Sequence, residues 1–372
     1  MPSSGVPIER LTEALRSAYP ELDTVRDVAS DPVYVVGGAV RDLLLGRDRA
    51  DLDLVVEGDA ATLAARLGAE TVEHERFATA KVVLDGHEVD IASARTEAYA
   101  RPGALPEVAP AASVEADLSR RDFTLNAMAI PLIGESPLID PHRGQKDLEA
   151  GLLRVLHRGS FRDDPTRAIR AARYAARFGF ELEPETAELL RATDLDTVSA
   201  DRRRAELLRL AAEPGAPRGF ALLAEWGLIE LREGGVELAS RVGQLLERSP
   251  WDLAEDRGRA VLAAAVGPSG HEVALAAARP ERPSQAFELA RAHRPPELLL
   301  ARALGADWLD DYVERWQGVT LEIDGQDLIA AGVPQGPAVG RGLAVALQRK
   351  LDGELDSREQ ELAVAVAAAR GD

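Results

Sequence analysis

The chain has no cysteine, which excludes disulfides and thiolate metal sites and fits a reducing compartment such as the cytoplasm. No apolar run reaches the roughly 18 residues needed to cross a bilayer. The opening Met1-Pro-Ser-Ser-Gly-Val-Pro7 lacks the basic-then-apolar pattern of a secretion signal. A soluble protein with no membrane partner is therefore expected. Positive charge is also short: the formal net charge is -19, which as an average opposes binding to a polyphosphate, because that affinity comes largely from Lys and Arg. Lysine is scarce beside arginine, a pattern that a GC-rich or salt-adapted source would also give. The deficit is uneven. Between positions 151 and 180 stand Arg154, Arg158, Arg162, Arg167, Arg170, Arg173 and Arg177, against only Asp163 and Asp164 as acids, so the local field decides the partner. At 372 residues the chain can bury more than one core, and two or more domains are expected.

The most informative stretch runs from Tyr34 to Val56. It reads as a buried strand (Val33 to Val36), a glycine pair, a short helix closed by Gly46, and a second strand over Asp51 to Val56. Side chains alternate along a strand, so Asp51 and Asp53 share a face while Leu52 and Leu54 point into the core. Two neighbouring carboxylates repel, and a hard divalent cation between them relieves this. Gly37 and Gly38, at a strand-to-helix turn, let backbone amides approach an anion. A phosphate cradle beside paired carboxylates suggests nucleotidyl transfer with two Mg²⁺ ions.

Gly37-Gly38-Ala39-Val40-Arg41-Asp42 followed by Asp51-Leu52-Asp53 resembles the head-domain signature of tRNA nucleotidyltransferases and bacterial poly(A) polymerases, in the DNA polymerase β superfamily. The resemblance implies an α+β fold: a small mixed β-sheet head with helices (1–152), then an all-α neck (153–215), body (216–312) and tail (313–372). It implies Gly37, Gly38 and Arg41 as nucleotide contacts, Asp51 and Asp53 as metal ligands, and Asp90 as a third catalytic acid. The other reading of Asp90 is an outward-facing strand aspartate.

Residues 8–19, with Ile8, Leu11 and Leu15 spaced among Glu9, Arg10 and Glu13, predict an amphipathic helix. Asp59 caps a helix through Leu67. Two strands, Lys81 to Leu84 and Glu88 to Ile91, are joined by Asp85-Gly86, a hairpin turn, so a mixed sheet follows. Arg95 stands near the phosphates or elsewhere. Residues 99–114 hold three prolines and a glycine and read as a loop, where the family carries the segment implicated in switching from C to A addition.

Asp117-Leu-Ser-Arg-Arg-Asp-Phe-Thr-Leu-Asn126 resembles the family's second motif. Adjacent Arg120 and Arg121 splay apart, so at most one meets the triphosphate, and the resemblance favours Arg121. Asp122 and Asn126, one helical turn apart, hold the ribose, or Asp122 is a cap or salt-bridge residue. Gly144, Asp147 and Leu148 match an architectural turn and helix closing the head.

Phe161-Arg-Asp-Asp-Pro-Thr-Arg167 starts a helix at Asp163 or Asp164. Asp164 and Arg167 project from one face, an acceptor beside donors. That pattern complements cytosine and adenine, not uracil or guanine; the bland alternative is an i,i+3 ion pair. The family's base-reading motif falls on Asp163, Asp164 and Arg167, with Asp163 in place of the usual glutamate. Arg170 is placed with the nucleotide, while Arg173 and Arg177 track RNA or pair with acids. Arg202 and Glu206 match the family's neck as an i,i+4 pair, structural or functional, with Arg202 placed with the RNA. Gly336 and Gly340, in a tail-like segment, expose amides to a tRNA phosphate or serve tight helix packing. No His-Asp pair or metal spacing occurs among the six histidines, so the phosphohydrolase domain of some relatives is not expected; nor is there a lysine-rich tail.

The expected activity is template-independent addition of CCA, or its terminal A, to the tRNA 3′ end from CTP and ATP, with Mg²⁺ as cofactor. The alternatives are a poly(A) polymerase acting on other RNA 3′ ends and a non-catalytic RNA-binding relative.

Overall fold

A computed structural model describes residues 10–68, 72–74, 79–133, 138–252, 257–267 and 270–371. Met1 to Pro7 lie outside them. The chain divides into two compact units, Met1–Leu210 with Ala221–Ile229, and Ala211–Phe220 with Glu230–Asp372.

The first unit begins with α1 (Leu11–Ala18) and α2 (Leu22–Val28). Leu11 and Leu15, an i,i+4 pair, are buried; Ile8 and Glu9 of the expected helix lie outside the described residues. Next come β1 (Val33–Val36), α3 (Gly38–Leu44), β2 (Leu52–Val56), α4 (Ala60–Arg66), β3 (Val72–His74), β4 (Thr79–Leu84) and β5 (His87–Ser93). Then follow β6 (Arg95–Ala98), β7 (Glu107–Pro110), α5 (Val114–Ser119) and β8 (Ala129–Pro131). One six-stranded sheet runs β3-β4-β5-β2-β1-β8. The strand β3 was not anticipated. Asp59 caps α4 as expected, accepting from the Thr62 amide. Asp85 and Gly86, both at positive φ, make the β4–β5 turn.

Within this sheet β2 pairs with β1 antiparallel and with β5 parallel. The register sets Asp53 opposite Val36 on one side and Asp90 on the other. Leu52 and Leu54 are buried on one face, while Val36 and Val55 join Ala94, Val114, Leu118, Ala127 and Ala129 in a core on the other. Asp53 shares the second face, at the margin of that core.

Residues 99–114 are more ordered than a loop. β6 and β7 form a separate antiparallel ribbon, with Arg95 opposite Pro110 and Glu97 opposite Val108. Proline is tolerated there because it ends an edge strand and owes the ladder no N–H.

The remainder of the unit is α6 (Gly144–Ala150), β9 (Leu152–Leu153), α7 (Ser160–Asp163), α8 (Thr166–Phe178), β10 (Glu181–Leu182), α9 (Pro184–Arg191) and α10 (Ala200–Ala212). Gly144 closes α6 on the preceding turn: a Cβ there would lie 2.1 Å from the Thr124 carbonyl oxygen. Asp147 accepts from the Thr124 hydroxyl and Arg154, an architectural role. Ala168, Ile169, Ala171, Ala172 and Ala175 bury one side of α8, which turns Arg170, Arg173 and Arg177 the other way.

After α11 (Ala216–Glu225), the second unit is helical: α12 (Gly235–Leu245), α13 (Arg257–Val266), α14 (His271–Ala277), α15 (Pro283–Ala290), α16 (Pro295–Ala303), α17 (Leu309–Asp311), α18 (Gly325–Ala330), α19 (Pro337–Leu351) and α20 (Arg358–Arg370). The packing reading of Gly336 and Gly340 is corrected: a Cβ on either meets nothing within 4 Å. Gly342 is the close-approach position, where a Cβ would fall 2.3 Å from the Ala365 carbonyl oxygen. Among the described residues, no single helix is long and apolar enough to cross a membrane.

Candidate active site

A cleft of about 960 Å³ opens in the first unit. Its lining includes Gly37, Gly38, Arg41, Asp51, Asp53, Arg121, Asp122, Asn126, Asp164, Arg167, Arg170, Arg173, Arg177 and Arg202. Of the residues singled out above for catalysis or binding, Asp90, Asp163, Arg95 and the tail glycines Gly336 and Gly340 do not line it. Ten arginines and six carboxylates line it, an excess of positive charge within a chain of net charge -19.

The acid pair stands at the mouth of β2, with Asp51 exposed and Asp53 half-buried. Burial, and then the charges of Asp90 and Asp51, push the Asp53 carboxyl up to about 6 against the pull of Arg121. Asp90 is brought alongside by register but pairs with Lys81 at 3.7 Å and does not line the cleft. Among the described residues no three acidic or imidazole groups converge in a metal-binding arrangement. The donor set is therefore the Asp51–Asp53 pair, whose oxygens and crowding suit a hard divalent cation.

Gly37 adopts φ 68°, ψ -124° at the start of α3. A Cβ there would lie 2.9 Å from Arg121 Nη1 and 3.7 Å from Asp53 Oδ2. Glycine at this turn thus lets the Arg121 guanidinium and the Asp53 carboxylate close on the same backbone.

Arg120 and Arg121 do not splay as expected. Helix α5 ends at Ser119, and both guanidiniums return to Asp117, Arg120 at 2.7 Å to Oδ1 and Arg121 at 3.1 Å to Oδ2. Burial favours the neutral acid, but Arg121 and Arg120 hold the Asp117 carboxyl below its usual range. Both arginines line the cleft. Arg95 does not, turning to Glu97 at 3.4 Å. Asp117 was missed because it lies outside the cleft and acts through its partners.

Asp122 and Asn126 are joined across a 3₁₀ turn (Thr124–Asn126) rather than an α-helix. Asp122 Oδ1 accepts from the Phe123 amide and Asn126 Nδ2, and Oδ2 from Arg170 Nε at 2.7 Å, with Arg170 Nη2 in ion-pair contact at 2.6 Å. Its acceptor sites are filled, so the salt-bridge reading of Asp122 holds over ribose contact. Burial would raise its pKa, yet Arg170 and the Asn126 bond keep it at about 2.

Ionic links continue outward. Asn126 Oδ1 accepts from Arg41 at 2.7 Å, and Arg41 also grips Asp42. Arg177 reaches Asp42 at 3.6 Å, and Glu206 gathers Arg170, Arg173 and Arg209. Arg173 and Arg177 line the cleft and also pair with acids, as one of the two expectations for them had it. The expected Arg202–Glu206 pair is absent: Arg202 Nη2 instead meets Asp164 Oδ1 at 3.0 Å, because successive turns of α10 face different parts of the cleft. Asp42, Arg49, Arg120, Tyr174, Glu206 and Arg209 line the cleft without having been assigned to it from sequence; Asp42 and Arg120 stood inside the quoted motifs, and Glu206 was named only as a neck match.

Asp164 and Arg167 line one wall without pairing to each other, contrary to an i,i+3 ion pair. Arg167 is buried and anchored by donating Nη1 to Ser160 Oγ at 2.6 Å and Nη2 to the Arg120 carbonyl at 2.8 Å. Asp163 does not line the cleft.

Residues 33–154 match the Poly A polymerase head domain, and residues 179–231 match the probable RNA and SrmB-binding site of polymerase A. The chain is 32% identical to the A-adding tRNA nucleotidyltransferase of Geobacter sulfurreducens over 94% of its own length and 46% of that protein's. It is 36% identical to the CC-adding tRNA nucleotidyltransferase of Deinococcus radiodurans over 88% and 87%. The chain therefore spans about half the length of the first relative and most of the second. Among solved structures it resembles a CCA-adding enzyme in an apo form (TM-score 0.79, 30% identity, 96% of each chain). It also resembles the Thermotoga maritima CCA-adding enzyme complexed with tRNA (TM-score 0.70, 27% identity, 98% of each chain). With a cleft built from these motifs and a relative matched along most of both chains, this protein belongs to the tRNA nucleotidyltransferase and poly(A) polymerase family.

Proposed function

We propose that this chain is a template-independent nucleotidyltransferase that adds C, A or both to the tRNA 3′ end from CTP and ATP, releasing pyrophosphate. One observation carries the reading: a single cleft is lined by the Asp51–Asp53 pair, by the Gly37 turn with Arg121, and by Asp164 with Arg167. These serve the reacting phosphate, the triphosphate and the base. The A-adding and CC-adding relatives and the tRNA-bound structural neighbour support the substrate class.

Asp51 and Asp53 would hold Mg²⁺, which when bound activates the 3′-hydroxyl and neutralises the triphosphate. Asp90 adds to the negative field beside them. Arg121, fixed by Asp117, and the amides at Gly37 and Gly38 orient the phosphates. Arg41 and Arg170 support this wall, and Asn126, with an amide hydrogen left after its bond to Asp122, faces the ribose. Asp164 accepts from the exocyclic amine of cytosine or adenine, while Arg167 donates to the ring nitrogen beside it. Arg173 and Arg177 extend the basic lining toward the RNA.

The test is extension of tRNAs ending in the discriminator base, C or CC, each with one labelled nucleotide and Mg²⁺. Addition to all three ends marks a CCA-adding enzyme, addition of A to CC ends alone an A-adding one, and long A runs on any RNA a poly(A) polymerase. No incorporation and no pyrophosphate release by the wild type, or full activity in Asp53→Ala, refutes the reading.

A further inference from the structure

We infer that Arg202 is a positioning residue for base selection, fixing the Asp164 carboxylate so that one oxygen alone faces the incoming base. The inference rests on the proposed role of Asp164 and Arg167. Asp164 Oδ1 accepts from the Thr166 amide at 3.1 Å and the Thr166 hydroxyl at 2.7 Å, and it forms an ion pair with Arg202 Nη2 at 3.0 Å. That oxygen is saturated, whereas Oδ2 has no hydrogen-bond partner among the described residues. Both Thr166 bonds come from the same residue of α8 and locate Oδ1. The ion pair from Arg202 on α10 comes from another direction and sets the plane of the carboxylate, hence where Oδ2 points.

Arg202 is itself held. Its Nη1 donates to the Gly103 carbonyl at 3.0 Å, and its side chain is only 26% exposed. Gly103 is tied in turn, its amide donating to the Arg162 carbonyl at 3.3 Å. At φ +68°, with a virtual Cβ 2.5 Å from the Thr197 carbonyl oxygen, position 103 admits no side chain without displacement. A guanidinium spans two acceptors in fixed geometry, which a lysine ammonium cannot reproduce.

A base site discriminates by leaving the wrong partner's polar groups unpaired, so a carboxylate free to swivel accepts from wrong geometries too. The experiment uses the full-length chain and its Arg202→Gln, Arg202→Lys and Asp164→Asn variants. Affinities for CTP, ATP, UTP and GTP are measured by calorimetry, and single additions to a tRNA are scored for each. Arg202→Gln is expected to reduce the preference for CTP or ATP over UTP and GTP by about tenfold, a change of roughly 1.4 kcal/mol. The Arg202→Lys variant should keep part of that preference, and it carries the test if the Gln variant does not fold. Unchanged preference in a folded Arg202 variant, or equal weakening for all four nucleotides, overturns the inference. Unchanged preference in Asp164→Asn instead overturns the base-reading role beneath it, and loss in Asp164→Asn with retention in both Arg202 variants overturns the inference alone.

Discussion

A Cβ added to Gly37 would come within 2.9 Å of Arg121 Nη1, so this backbone position and this guanidinium cannot both stay in place once a side chain is present. The turn is also at positive φ. Gly37→Ala should therefore lower stability by about 1–3 kcal/mol and raise KM for the nucleotide as Arg121 is pushed away. Thermal melting and steady-state kinetics check the two effects, and an unchanged KM would detach Arg121 from the phosphates.

Burial and two neighbouring carboxylates crowd Asp53. Removing its charge should raise the melting temperature of the cation-free protein while lowering incorporation by at least about 100-fold. Mg²⁺ should stabilise the wild type in thermal melts and leave Asp53→Asn unaffected. Asp90→Asn, outside the cleft lining, should cost less activity than Asp53→Asn.

Asp122 has a folded pKa of about 2, below the unfolded value of about 3.9. A depressed carboxylate contributes stability above the unfolded pKa and loses it as pH falls through the folded one. The contribution, roughly 2–3 kcal/mol, should be intact at pH 5 and fade between about pH 4 and 2. Urea unfolding of wild type and Asp122→Asn across that window should show the two stability curves converging as pH falls.

Asp117 is fully buried and serves two arginines at once. Its replacement by Ala leaves both guanidiniums without their shared counter-charge, a loss of about 3–5 kcal/mol for a buried pair broken on one side. The milder Asp117→Asn should remain folded and show raised nucleotide KM, measurable in single-addition assays.

What the sequence made legible was chiefly local. Gly37 with Arg41, Asp51 with Asp53, and Asp164 with Arg167 each lie within a few residues, where strand alternation and helical spacing fix direction. The misses were partnerships across distance: Asp122 with Arg170, Asp42 with Arg177, Arg202 with Asp164. Nothing in spacing reveals which of many arginines answers a given acid. The fold was readable in class and in the four strands β1, β2, β4 and β5, but β7 was hidden because its proline signals a breaker unless the strand is known to be an edge. Arg120 and Arg121 were misjudged because the chain leaves the helix just before them, which breaks the geometry assumed for neighbours.

The excess of arginine over acid along this cleft, in a chain of net charge -19, has a kinetic meaning. Elsewhere the protein repels a polyanion, so encounters are funnelled to productive contact rather than spent on idle sticking. Added salt weakens the repulsion along with the attraction. RNA affinity should consequently decline less steeply with ionic strength than in a uniformly basic protein touching as many phosphates.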